Sequence, residues 1–249
     1  MMNYMRSETY KLLKTKGIYI IYALCITLLI FAALTLYYFG HNGEYFPYYR
    51  ADFYYNNVFG MWLFIVMIGA VINSFLTNKE SKRVLKQSIS YGISRATIYF
   101  SKYLVSLIAF TILCILGTIV LLTCGQLFFP KDSRAVEGFL LSLINFSPII
   151  LGAFSLVHAL NMVMRRETTA IVSFIFILLG TSTVAYILTK INKAFDVFYN
   201  LTPKVLSDRV LSEFMNHNVE LSADFWRSSL IITTLSLFIG YRLFKKEDF

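Results

Sequence analysis

Five stretches of this 249-residue chain run for 18 residues or more without an Asp, Glu, Lys or Arg: 18–39, 58–76, 103–129, 139–164 and 168–189. Crossing the hydrocarbon of a bilayer takes about 20 helical residues, so each run is long enough to span one. Inside lipid every backbone N–H and C=O must be satisfied within the protein, which makes the α-helix the form such a run takes. A sixth stretch, 225–244, holds 14 uncharged residues between Arg227 and Arg242. Long basic side chains at both ends can reach the headgroups, so it is counted as a span. Composition agrees, with 57% hydrophobic residues, 15% charged residues and a mean hydropathy of +0.62. A soluble domain has about a quarter of its residues charged, and in water this chain would be left with large apolar patches. The expected fold is all-α, a single polytopic membrane domain over 1–249 with six transmembrane helices.

The first run follows Arg6, Lys11, Lys14 and Lys16 as a signal peptide would. Its apolar core of about 22 residues is too long for a signal sequence and no small-residue cleavage site follows, so it stays in the protein. Six spans put both termini on one side. Basic residues sort unequally between the two sides, with 15 in the segments 1–17, 77–102, 165–167 and 242–249 and 8 in the remaining loops. Positive charge is retained in the cytoplasm, so the richer face and both termini are cytoplasmic. The acids run the other way, giving net charges of +10 inside and −1 outside. The overall +9 is thus a topology signal and not a basic patch for nucleic acid, which would cluster on one solvated face.

The segment 1–17 has helical periodicity, with Met2, Met5, Thr9, Leu12 and Leu13 on one arc and Arg6, Lys11 and Lys14 on the other. It reads as an interfacial amphipathic helix, or as a frayed tail carrying retention charges. Outside, residues 40–57 hold Tyr45, Tyr48, Tyr49, Tyr54 and Tyr55, a composition suited to an aromatic belt. In the outer loop 190–224 apolar residues recur at spacings of 3 and 4 on both sides of Pro203, which predicts two short helices lying at the surface.

Several chemistries are excluded. No GxxxxGK[ST] loop occurs, and the largest cytoplasmic piece, about 26 residues, is too short for a nucleotide-binding domain. Neither HExxH nor GxSxG is present, so the chain is not read as an enzyme. Cys25, Cys114 and Cys124 lie in apolar runs without ligand spacing, and no metal or cofactor site is expected. The five clear runs lack the ionisable relays of ion-coupled carriers. Their polar residues are Asn73, Asn145, His158 and Asn161, with Pro148 breaking the fourth span. These either line a substrate path opened by the proline or make interhelical hydrogen bonds around a kink.

The most informative segment is 77–102. Glu80, Lys82, Arg83 and Lys86 lie in a short basic helix, Tyr91 and Gly92 form a turn, and Ser94 caps a helix that runs through Arg95 and Lys102 into the third span. A rigid helix projecting between two spans is a lever that a partner can push; the plainer reading is a basic loop held on anionic lipid. The pattern of Glu80, Gly92, Ser94-Arg95 and Lys102 resembles the cytoplasmic loop of type 2 ABC exporter permeases, among them lantibiotic-immunity and bacitracin-efflux subunits. The resemblance covers the whole chain, including a Leu201-Thr202-Pro203 turn before the last span.

That resemblance implies that residues 80–90 are a coupling helix docking on a separate ABC ATPase. Glu80, Lys82, Arg83, Lys86, Tyr91, Gly92, Ser94 and Arg95 would form the contact, and the outer helices would cap an exit path. It further implies two ATPase copies holding ATP and Mg²⁺, a second permease in a homo- or heterodimer, and the bacterial plasma membrane. The cargo would be a peptide antibiotic or other amphipathic molecule, with antibiotic resistance as the outcome. Two other classes remain: a membrane-bound assembly protein, and a secondary transporter.

Overall fold

A computed structural model describes residues 1–43, 46–164 and 166–247, together with the side chains of all of these except 79–83 and 167. The described residues form helices and no strand: α1 (Met2–Lys14), α2 (Lys16–Asn42), α3 (Ala51–Gly60), α4 (Trp62–Thr77), α5 (Lys79–Ser90), α6 (Arg95–Phe128), α7 (Ser133–Val163), α8 (Glu167–Ile191), a 3₁₀ turn (Lys193–Phe195), α9 (Asp196–Asn200), α10 (Pro203–Met215) and α11 (Ala223–Lys246). Four of them, α2, α6, α7 and α8, are long and apolar enough to cross a membrane unaided, and α3 with α4 makes a fifth as a bent pair.

Local chemistry sets several of these boundaries. Ser94 Oγ accepts the Thr97 N–H at 3.2 Å and starts α6 eight residues before the apolar run. Asp132 Oδ1 accepts the N–H groups of Arg134 and Ala135 and starts α7. Each side-chain acceptor satisfies orphan donors of a first helical turn. At the end of α5, Gly92 adopts φ +84° while its N–H bonds Ile89 O and the Ile93 N–H bonds Ser88 O. This Schellman closure uses the left-handed conformation that glycine adopts without steric cost.

Three sequence expectations are corrected. The run 58–76 is not one straight helix, because α3 and α4 meet at 58° across Met61. The cause is aromatic: Phe59 packs against Phe139, Phe146 and Phe214, and Tyr55 stacks on Phe139, which holds α3 against α7 and α10. By the same packing Tyr54 and Tyr55 are core residues and not an interfacial belt, although Tyr48 is half-exposed. Tyr54 donates to Leu29 O and Tyr49 to Phe128 O, and the Tyr55 ring occupies the space left by Gly125. Tyr45 lies outside the described residues. Finally, α7 runs unbroken through Pro148. The proline removes one N–H donor, and the Ser147 hydroxyl donates at 3.4 Å to Ile144 O, the carbonyl left free.

Contacts between helices sort the bundle into two ends. Tyr22 reaches Ala109 and Gly117 lies beside Leu29, so α2 and α6 run parallel. Gly69 against Phe154 and Asn73 against His158 make α4 parallel to α7, while Leu76 against Lys102 makes α4 antiparallel to α6. Helix α11 is parallel to α7: Gly152 meets Ser229, Ser155 meets Thr233 and Ala159 meets Gly240. This seam of small residues lets the two backbones approach closely, as helices do in lipid. Residues near both termini share one end, where Arg95 bonds the carbonyls of Lys245 and Glu247 and Lys102 meets Glu8.

At the opposite end, α10 buries Leu206, Val210 and Phe214 against the bundle. Helix α9 instead leaves Val197 and Phe198 exposed.

Candidate functional site

Helix α5 stands between two helices of the bundle, α4 and α6, at the end that carries the termini. Leu85 is its anchor. It enters a cluster of Ile98 and Tyr99 from α6, Met162 from α7 and Phe244 from α11, with Ile89, Ile93 and Tyr4 packed around it. Helix α5 therefore shares one buried cluster with residues of three long helices and of α1. On its outer side Val84 and Lys86 are exposed, and Tyr91, at the turn, is 77% exposed. Gly92 forms the turn, and the Ser94 hydroxyl faces Thr97. Arg95 points back to the α11 terminus, donating to Lys245 O at 2.5 Å and Glu247 O at 2.8 Å. Those carbonyls belong to the last turns of a helix, where orphan acceptors and the dipole both favour a cation. The side chains of Glu80, Lys82 and Arg83 lie outside the described residues, as do Arg165 and the side chain of Glu167.

Beneath α5 lies a buried ion pair that the sequence did not disclose. Lys102 Nζ is 3.0 Å from Glu8 Oε2 and donates to Leu76 O at 2.6 Å, and both residues are over nine-tenths buried. The ammonium thus closes the carbonyl end of α4 and holds α1 to the bundle. Tyr4, one turn before Glu8, faces both Glu8 and Ser88 of α5, and burial together with the Glu8 carboxylate pushes its phenol pKa up. The buried face of α1 is Tyr4, Met5, Glu8 and Leu12, while Met2, Thr9 and Leu13 of the expected apolar arc are exposed.

One turn deeper, Asn73 ties three helices. Its Nδ2 donates to Ser106 Oγ at 2.7 Å and to His158 Nδ1 at 2.9 Å, and its Oδ1 accepts from Asn161 Nδ2 at 3.0 Å. Because the amide donates to Nδ1, His158 is the neutral tautomer protonated at Nε2. The ring lies among those of Tyr99 and Tyr103. Ser106 returns to Lys102 O at 2.7 Å, and Tyr103 and Ser155 share a bond of 2.8 Å.

The structure therefore gathers Asn73, His158 and Asn161 into one cluster but leaves Asn145 and Pro148 apart. Asn145 lies 13 residues before His158, about 20 Å along the helix. It donates to Glu220 O at 2.7 Å and accepts from Ser222 N at 3.4 Å, fixing the chain that enters α11. Among the described residues no group of His, Cys, Asp or Glu could hold a metal ion.

Two comparisons bear on this arrangement. No curated protein matches the chain. A family model described as ABC-2 family transporter protein matches residues 4–195, which take in most of α1, all of α2 through α8 and every residue of the α5 anchoring cluster on those helices, Phe244 of α11 lying beyond it. With several helices of membrane-spanning length, this makes the chain a multi-pass membrane protein, located in a bacterium in the plasma membrane. It belongs to the ABC-2 family of transporter proteins, as a membrane component of an ABC transporter.

Proposed function

We propose that this chain is the permease subunit of an ABC exporter, driven by ATP hydrolysed on a separate subunit that docks on α5. The single observation that carries the reading is the seat of α5. Leu85 belongs to one buried cluster with residues of α6, α7 and α11, so a push on the exposed face of α5 has a packed route to three long helices. The ion pair of Lys102 and Glu8 adds α1 and the end of α4 to the same body. A rigid block of this kind transmits displacement where a loose basic loop would absorb it.

On this reading the end carrying both termini is cytoplasmic and α1 lies in the membrane interface. Helix α11 is then the sixth span, supported by its parallel seam with α7. Asn73, His158 and Asn161 direct their bonds to one another and to Ser106, which suits fastening α4, α6 and α7 within the block more than lining a path. Two permeases, identical or not, would face two ATPase copies and pass a peptide antibiotic or other amphipathic molecule outward between them.

The test is co-purification followed by transport. Tagged chain isolated in mild detergent brings down an ABC ATPase, and vanadate stops export. Replacing Glu80 and Arg83 together by Gln leaves membrane insertion intact and lowers permease-stimulated ATP hydrolysis at least tenfold. Full export in that double variant sinks the assignment of α5, and a chain active without any ATPase sinks the exporter reading altogether.

A further inference from the structure

Helix α1 turns its acid inward and its bases outward. Glu8 is the one acidic residue in 1–43, and it is buried against Lys102 on the side of α1 that meets the bundle. On the opposite side Arg6, Tyr10, Leu13 and Lys14 fall at the i, i+4, i+7 and i+8 positions of one stripe, and all four are exposed. Lys16, two residues on at the start of α2, is exposed as well.

Among the described residues the fold supplies these bases no counter-charge: no carboxylate pairs with Arg6, Lys14 or Lys16. Nor are the lysines needed to close the helix. Basic side chains in a last turn often serve its orphan carbonyls. Here Lys11 O accepts the Thr15 hydroxyl at 3.0 Å, Leu12 O the Thr15 N–H at 3.0 Å and Leu13 O the Tyr19 hydroxyl at 2.9 Å. The Lys14 ammonium instead stands 5.6 Å from the centroid of the Tyr10 ring. The stripe is also continuous with the surface of a span. Tyr19, which reaches back to α1, and Ile20 are exposed on α2, and the single residue Thr15 joins the two helices.

We infer that this stripe binds the headgroups of anionic phospholipids. Arg6, Lys14 and Lys16 take the phosphates, and Tyr10 and Leu13 enter the boundary with the acyl chains. Charge complementarity selects this occupant. With Glu8 withdrawn, the stripe offers no carboxylate to the ammonium of a choline or ethanolamine headgroup, so an anionic headgroup gains over a zwitterionic one. The inference rests on the interfacial placement of α1 proposed above and adds the class of lipid. Because Glu8 ties α1 to Lys102 and the end of α4, headgroups held on one side of α1 steady the base of α5 on the other.

The test uses the full chain in phosphatidylcholine nanodiscs that contain, at one minor mole fraction, either phosphatidylglycerol or phosphatidylcholine with brominated chains. Tyr10→Trp is the reporter, and the emission of Trp62 and Trp226 is subtracted using the parent protein. Brominated phosphatidylglycerol is expected to quench the reporter about threefold more strongly than brominated phosphatidylcholine, and high salt to erase the difference. Arg6→Gln, Lys14→Gln and Lys16→Gln together bring the ratio to one. The charge-keeping set Arg6→Lys, Lys14→Arg and Lys16→Arg retains the preference, as does Lys190→Gln with Lys193→Gln at the other end of the bundle. A preference that survives the triple substitution by Gln overturns the proposal. Equal quenching by both lipids in the parent also overturns it, while leaving α1 at the interface. Quenching by neither lipid puts the stripe in water, open to a soluble partner, and removes the interfacial placement as well. None of these readouts involves an ATPase, so the permease reading is tested apart from them.

Discussion

The Lys102 and Glu8 pair shows what a single residue contributes at the base of α5. Removing one member strands the other charge in a dry site, which costs about 3–5 kcal/mol, whereas removing both is close to neutral in comparable pairs. Glu8→Gln and Lys102→Met should each lower thermal stability in detergent strongly, and the double variant should recover most of the loss. The recovery will be incomplete, because Lys102 also donates to Leu76 O and no methionine replaces that bond. A double variant as unstable as the sum of the singles would mean that the pair is not coupled. Neither partner is conspicuous in the sequence. Glu8 stands among Arg6, Lys11 and Lys14 and reads as solvated, and Lys102 reads as a residue of the helix entering the third span, with nothing to say that it is buried against α1. They lie 94 positions apart, and a tertiary pair leaves no periodic trace. Asn73, His158 and Asn161 were visible as polar residues in apolar runs, but only folding shows that they share one knot.

Elements were more legible than residues. Uncharged runs disclosed the long helices because lipid leaves a chain few alternatives, and Ser94 gave the start of α6 through its capping chemistry. Helix α3 was missed: tyrosine suits both an aromatic belt and a buried face, and only the rings of Phe139, Phe146 and Phe214 decide between them. The seam of α7 and α11 could not be read either, since Ser229, Thr233, Ser236 and Gly240 look like weak polarity in a doubtful span. It is nonetheless open to a sharp test. A Cβ on Gly240 would stand 2.6 Å from Ala159 Cβ and 2.5 Å from the Tyr99 hydroxyl. Gly240→Leu should therefore destabilise the fold by about 1–3 kcal/mol through overpacking, while Ser236→Ala on the same face stays near neutral. Thermal denaturation of both variants checks the contrast.

For the whole molecule the first question is orientation. The helix contacts bring residues near both termini to one end of the bundle, and the proposed orientation puts that end, the richer in basic residues, in the cytoplasm. In a background lacking Cys25, Cys114 and Cys124, Tyr91→Cys should react with an impermeant thiol reagent only from the cytoplasmic side, and Val197→Cys only from outside. Labelling of both from one side would invert or refute the topology. The seam between α7 and α11 also bears on how the molecule is made. Among the described helices α11 emerges last, with Asp224 and Arg227 near one end and Arg242, Lys245 and Lys246 near the other. Left to partition by itself, it is among the long helices that lipid accepts least readily. Its small residues instead meet a groove on α7 that earlier synthesis has already placed in the bilayer. Insertion of α11 thus includes a docking step on α7, and damage to the seam should surface first as misdirection or degradation of α11, before any assay of cargo registers it.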